Sequence, residues 1–196
     1  MVSEVQICNA ALLKFGSLSI TSLDDATAEG RACKVWYPIL RDELLYGHPW
    51  NFSMKRADIS AQLSTTPAFE WLYAYTLPPD CLRAWELHGT DAEWVVESGE
   101  FLTNQEEAIF VRYISAVTEA GRFSPSFAAC LATRLGAELA AKLANDKSMR
   151  QQLLAELIKV QLPEAYALNA MEGKRPAPKG EQEMSRGNYS WQTEGR

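Results

Sequence analysis

Few side chains in this sequence could do chemistry, and their spacing narrows what that chemistry would be. The chain holds two histidines, His48 and His88, and four cysteines, Cys8, Cys33, Cys81 and Cys130. A zinc centre takes three or four converging Cys, His or acidic ligands, usually at short local spacing. The two histidines lie far apart, and neither sits in such a pattern. The cysteines form no Cys-x-x-Cys pair. Two of them fall within helical apolar patterns and read as small buried hydrophobes, with a disulfide as the alternative. Asp24-Asp25 could hold a cation or move protons. The same pair also suits a helix start, where acids meet the positive end of the helix dipole. Glu106-Glu107 reads as a solvated pair in a turn. A Ser-His-Asp set assembles in space, so spacing does not exclude it, but there is no nucleophile elbow, phosphate loop or dinucleotide fingerprint. The expectation is a protein without catalytic residues, metal or cofactor.

The elements that would position any site are legible from periodicity. Ser3 caps a first helix with Ile7, Ala10, Ala11 and Leu13 as its apolar face, and Gly16 ends it. A second helix follows Asp24-Asp25 and runs to about Tyr46, with Ala32, Trp36, Ile39, Leu40 and Leu44 at helical spacing. Pro38 inside it removes a donor and bends it. The helix stops at Gly47, before His48-Pro49-Trp50-Asn51-Phe52. From Phe69 to Ile114 short β-favouring runs alternate with turn signals, which predicts an antiparallel meander. Ser124-Pro125-Ser126 opens a third helix to about Ala144. Leu131, Leu135, Leu139 and Leu143 recur every four residues, and Ala128, Ala132 and Gly136 allow close approach of a neighbour. A fourth helix spans about Ser148 to Met171, with Leu153, Leu157 and Val160 on one stripe, kinked or divided by Pro163.

The expected fold is therefore α+β, mainly α: a four-helix bundle with an inserted antiparallel β meander and a flexible C-terminal tail. Residues 1–58 supply the first two helices, 59–120 the β insertion, 121–172 the last two helices and 173–196 the tail, all in one domain.

Composition bounds the function. With 196 residues, 47% hydrophobic and 22% charged, the chain can bury a core. A net charge of −6 argues against a non-specific grip on nucleic acid. The charge is uneven: residues 173–196 carry five basic and three acidic side chains, net +2, leaving −8 on the rest. The opening Met1-Val2-Ser3-Glu4 lacks a secretory pattern, and no apolar run approaches the ~20 residues of a membrane helix. A cytosolic site of synthesis is expected, with no membrane partner. Trp71, Tyr73, Tyr75, Trp85 and Trp94 crowd the β insertion. A small sheet has little volume for so many large rings, so they are candidates for an interface with another subunit or chain. In the tail, Lys179, Arg186, Tyr189 and Trp191 are candidate anchors for a partner.

Four stretches together resemble the tail tubular protein A, or head-to-tail adaptor (connector), family of short-tailed bacteriophages. They are Ile7–Gly16, ICNAALLKFG; Ser22–Leu45 with the plug His48–Phe52 and Lys55-Arg56-Ala57; Tyr73–Arg83, YAYTLPPDCLR; and Val111-Arg-Tyr-Ile followed by Phe123–Leu143. The resemblance covers most of the chain. It implies a structural virion protein at the head–tail junction, forming a ring of twelve subunits beneath the portal. Its partners would be the portal protein, the tail nozzle or tail tube protein, and further copies of itself. DNA would pass through the lumen without specific binding. The resemblance also implies that the C-terminal segment meets the portal. The competing readings are a head-completion plug that seals the channel, a small hydrolase or metal-binding enzyme, and a DNA-binding regulator.

Overall fold

The structure is a computed structural model and describes residues 2–60, 63, 67–106 and 108–172. Helix α1 spans Glu4–Leu13. Ser3 and Gln6 form a reciprocal cap: the Ser3 N–H donates to Gln6 Oε1 at 2.8 Å, and the Gln6 N–H donates to Ser3 Oγ at 3.2 Å. Ile7, Cys8, Ala11 and Leu12 are buried, whereas Leu13, expected on that face, is exposed.

Helix α2 spans Ala28–Gly47 and is capped by Thr27, two residues after Asp25 of the acid pair expected to open it. Asp25 instead closes the preceding turn, accepting from the N–H of Thr21 at 2.7 Å and of Ser22 at 3.2 Å. Asp24 pairs with Lys34 at 2.7 Å. The helix continues through Pro38 and buries Cys33, Tyr37, Leu40 and Leu45. Ile39, expected inside, is exposed together with Val35 and Tyr46. An error of one position rotates a helical stripe by about 100°, and the polar flank of Tyr37 and Arg41 concealed which side is apolar.

Six strands follow: β1 Met54–Ile59, β2 Tyr73–Thr76, β3 Cys81–His88, β4 Trp94–Glu97, β5 Glu100–Thr103 and β6 Ile109–Ser115. They form two separate antiparallel sheets, ordered β1-β6-β3 and β2-β5-β4, and not the single meander expected. The reason lies in the connections. Ser98 and Gly99 both adopt positive φ, which makes a tight hairpin of β4 and β5. Gly89, at φ 85°, turns the chain out of β3 before it can pair with β4. β3 is therefore left to pair with β6. In β6, Ile109, Val111 and Tyr113 point into the sheet core, while Ile114 is buried among the helices, so one strand joins two cores.

The helices do not make the expected four-helix bundle. Helix α3, Pro125–Leu143, is a hub on which the other helices pack separately. Its leucine seam is core: Leu131, Leu135 and Leu139 are fully buried. A Cβ on Gly136 would lie 3.1 Å from the Ala11 carbonyl oxygen, so glycine sets how closely α1 approaches. The last helix is broken into α4, Lys147–Glu156, and α5, Leu162–Met171, joined by one π turn at Leu157–Gln161. Pro163 lacks the N–H that an unbroken α-helix would use there. The turn leaves Val160 exposed and off the expected stripe. Part of the wall around α3 that a bundle would fill with helix is filled by Trp50, Phe123 and Ile114. Each helix has an apolar face in the sequence, but a face does not specify its partner.

Candidate interaction site

The aromatic plug is a joint. Trp50 is fully buried and donates its indole N–H to the Leu44 carbonyl at 3.0 Å. Its ring meets Phe127 edge-on at 5.1 Å and His48 at 4.9 Å. His48 also stacks on Tyr166 of α5 at 4.1 Å. Burial lowers the His48 pKa below the ordinary histidine value, which favours a neutral ring. Its Nε2 lies 3.2 Å from the Asn169 amide nitrogen and accepts from it when neutral. Asn169 and Asn51 interlock: the Asn51 N–H donates to Asn169 Oδ1 at 2.8 Å, and the Asn51 amide donates to the Asn169 carbonyl at 2.7 Å. His48 is thus occupied in packing. His88 is exposed at the end of β3.

Acidic groups are similarly committed. Asp80 holds the turn before β3, accepting from Lys55 Nζ of β1 at 2.5 Å and from the Tyr113 hydroxyl of β6 at 3.1 Å. The Lys55 hydrogen bond is the main cause that keeps its carboxyl below the usual range. Glu106 closes a loop with its backbone, its carbonyl accepting from the Tyr75 hydroxyl at 3.1 Å, and Glu107 lies outside the described residues. Cys8, Cys33 and Cys130 are buried, and Cys81 is half-buried. Burial pushes the thiols of Cys81 and Cys130 up to about 11, which disfavours a thiolate nucleophile at neutral pH. Among the described residues no group of three or more His, Cys, Asp or Glu could hold a metal ion.

The structure separates the five aromatics expected at an interface. Tyr75 is a correction: it is 1% exposed, sits in the sheet core with Phe101 and donates its hydroxyl to the Gln105 carbonyl at 2.8 Å. Alternation in β2 does not reveal which of its faces meets the other sheet, so the sequence does not show that this ring is covered. Trp71 and Tyr73 are half-buried. Trp85 and Trp94 come together at one groove of about 460 Å³, which Tyr46, Leu82, Arg83, Ala84 and Val96 complete. Trp94 backs it by stacking on Phe101 at 5.0 Å. Trp85 is 39% exposed and Tyr46 54%. Between them lies the Arg83 guanidinium, 5.3 Å from each ring centre, donating to the Tyr46 carbonyl at 3.3 Å.

Sequence reasoning found the tryptophans but missed Tyr46, Arg83 and Val96. Tyr46 was read only as a helix end, and the Arg83–Trp85 spacing of two places both on one face of a strand, a signal that was available. Tyr, Trp and Arg gathered at a partly exposed concavity match the composition of interface hot spots. The groove can hold apolar or aromatic side chains and satisfy a carbonyl or carboxylate through Arg83. It holds no nucleophile or base. The candidate anchors Lys179, Arg186, Tyr189 and Trp191 lie outside the described residues. No protein-family model and no curated protein matches the chain, and no helix of the described residues is long and apolar enough to cross a membrane.

Proposed function

We propose that this chain is a structural head-to-tail connector of a short-tailed bacteriophage. It assembles as a ring beneath the portal, joins it to the tail nozzle and lets DNA through. The reading starts from the four resembling stretches. The observation that carries it furthest is the distribution of exposed apolar side chains. Val35, Ile39 and Tyr46 line the outside of α2, while Val160, Leu168 and Met171 line one side of the π turn and α5. Two unlike apolar faces on one subunit suit a head-to-tail contact that closes into a ring. The Tyr46–Arg83–Trp85 groove adds a third surface for a tail component. In this reading the basic C-terminal segment anchors the ring to the portal through Lys179, Arg186, Tyr189 and Trp191. Repetition around the ring multiplies a modest single affinity.

The test is electron microscopy of the protein mixed with its cognate portal. The expected image is a ring of this chain, coaxial with the portal and on its tail-facing side. Chains that stay dispersed beside intact portals at micromolar concentration would sink the proposal.

A further inference from the structure

Two surfaces on opposed sides of α3 carry exposed apolar side chains with charges of opposite sign. The first is a groove of about 340 Å³ between the start of α2 and the end of α3. Ala28, Ala32, Val35 and Trp36 of α2 and Leu143 of α3 give it an apolar lining, and Arg31 and Lys142 supply its charge. Both cations are exposed, and among the described residues neither pairs with a carboxylate. The second surface is the outside of α5. There Glu164 and Leu168 border Ser126, Ala129 and Cys130 of α3. At 100° and 1.5 Å per residue, those three α3 positions face away from Lys142 and Leu143 and lie roughly 20 Å along the helix from them. Glu164 is exposed and meets no cation among the described residues.

We propose that the α2–α3 groove receives helix α5 of a second copy of this chain. The contact rests on the ring proposed above and gives that ring its joint. Helical ridges and charge select α5. Glu164, Leu168 and the C-cap Glu172 fall on one i, i+4 row, with Ala167 and Met171 on the row beside it, and all five are exposed. Leu168 therefore stands between two acids, one turn from each. The receiving helix has the counterpart rows Ala28-Ala32-Trp36 and Arg31-Val35. Small Ala28 and Ala32 let a ridge approach closely, Val35 and Trp36 cover Leu168 and Met171, and Arg31 and Lys142 meet the two acids. Apolar side chains exposed on both copies leave water together. The two surfaces are unlike and lie on opposed sides of α3. Each copy thus gives α5 to one neighbour and receives α5 from another, which is the head-to-tail contact that closes a ring.

The experiment is disulfide trapping between full-length chains that all carry Cys81→Ser, since the other three cysteines are buried. One chain also carries Val35→Cys and the other Leu168→Cys, both at exposed positions. Mixed at tens of micromolar under mild oxidation, the two should link at least about ten-fold faster than either chain links to itself. Equal rates in the three incubations overturn the proposal. So does faster linking of either chain to itself, which assigns a two-fold contact instead. Reversing the groove cations, Arg31→Glu with Lys142→Glu, should slow linking about five-fold, and so should reversing the acids, Glu164→Lys with Glu172→Lys. Combining the two reversed chains should restore the rate. Linking that ignores these reversals overturns the docking of acids on cations. Trapping without a ring on the portal would sink the connector reading and leave this contact standing. A portal-bound ring whose chains do not link in this way would sink the contact alone.

Discussion

Trp50 joins three helices at one point. It is the largest fully buried side chain, and it touches α2 through Leu44, α3 through Phe127 and α5 through Tyr166. Replacing it with alanine removes the ring contacts, leaves the Leu44 carbonyl without its donor and opens a cavity. Trp50→Ala should cost about 3–5 kcal/mol. Urea unfolding followed by circular dichroism checks this, and a loss under about 1 kcal/mol would mean that the joint can collapse around the gap. His48→Phe is the contrasting case, since it keeps the stack on Tyr166 and loses only the contact with Asn169. The histidine's lowered pKa has a consequence of definite sign. Below the ordinary value of about 6.5, the unfolded chain binds a proton that folded His48 resists. Stability therefore falls as pH drops from there toward the folded pKa, and His48→Phe should remove that part of the slope. Unfolding midpoints at pH 7.5 and pH 5.5 for both proteins measure it.

At the scale of elements, a chain of ion pairs ties three helices. Glu138 on α3 accepts from Arg134 one turn earlier and from Arg150 of α4 at 3.0 Å, while Arg134 reaches Glu43 of α2 at 3.4 Å. Desolvation pushes the Glu138 carboxyl up, and the hydrogen bonds from Arg150 and Arg134 outweigh it, leaving it below the usual range. Its contribution to stability is therefore present above the ordinary carboxylate pKa and is lost as pH falls through the folded value. The Glu138 side chain is only 13% exposed, but that of Glu43 is 53% exposed. Glu138→Ala should cost about 1–3 kcal/mol because two arginines lose their acceptor in a half-buried setting. Glu43→Ala should cost under ~0.5 kcal/mol, since solvent screens an exposed pair. Equal losses in denaturant titrations would show that the burial difference does not matter. Periodicity predicted α1, α2 and α3 and the break at Pro163. It did not show that β3 would choose β6, because register and partner depend on turns that direct the chain and on a face that only a neighbour defines.

For the whole molecule, charge sets the expectation. A body of −8 with a segment of +2 cannot neutralise many phosphates, so retention of duplex DNA should be weak and passage unhindered. Gel retardation at 150 mM salt should show no shifted band with protein in the low micromolar range. A tight complex with a steep salt dependence would contradict passage without grip and favour a DNA-binding role. The exposed apolar side chains of α2 and α5 and the aromatic groove are the surfaces that the proposed ring and tail contacts would cover.

By itself, the sequence determined local matters: where the helices and most of the strands lie, though not β1, Met54–Ile59, which falls in the stretch assigned to helices, how charge divides between body and tail, and that histidines, cysteines and acids lack a ligand pattern. These depend on residues within a turn or two of each other, where backbone sterics and side-chain capping act directly. Only the tertiary structure decided that the strands split into two sheets, that α3 is a hub and not one wall of a bundle, that Tyr75 is core, and that Trp85 and Trp94 meet Tyr46 and Arg83 in one groove. Those outcomes follow from burial of area between distant segments, and hydrophobic burial has no direction of its own. An apolar face in sequence demands cover, and the rest of the chain chooses what covers it.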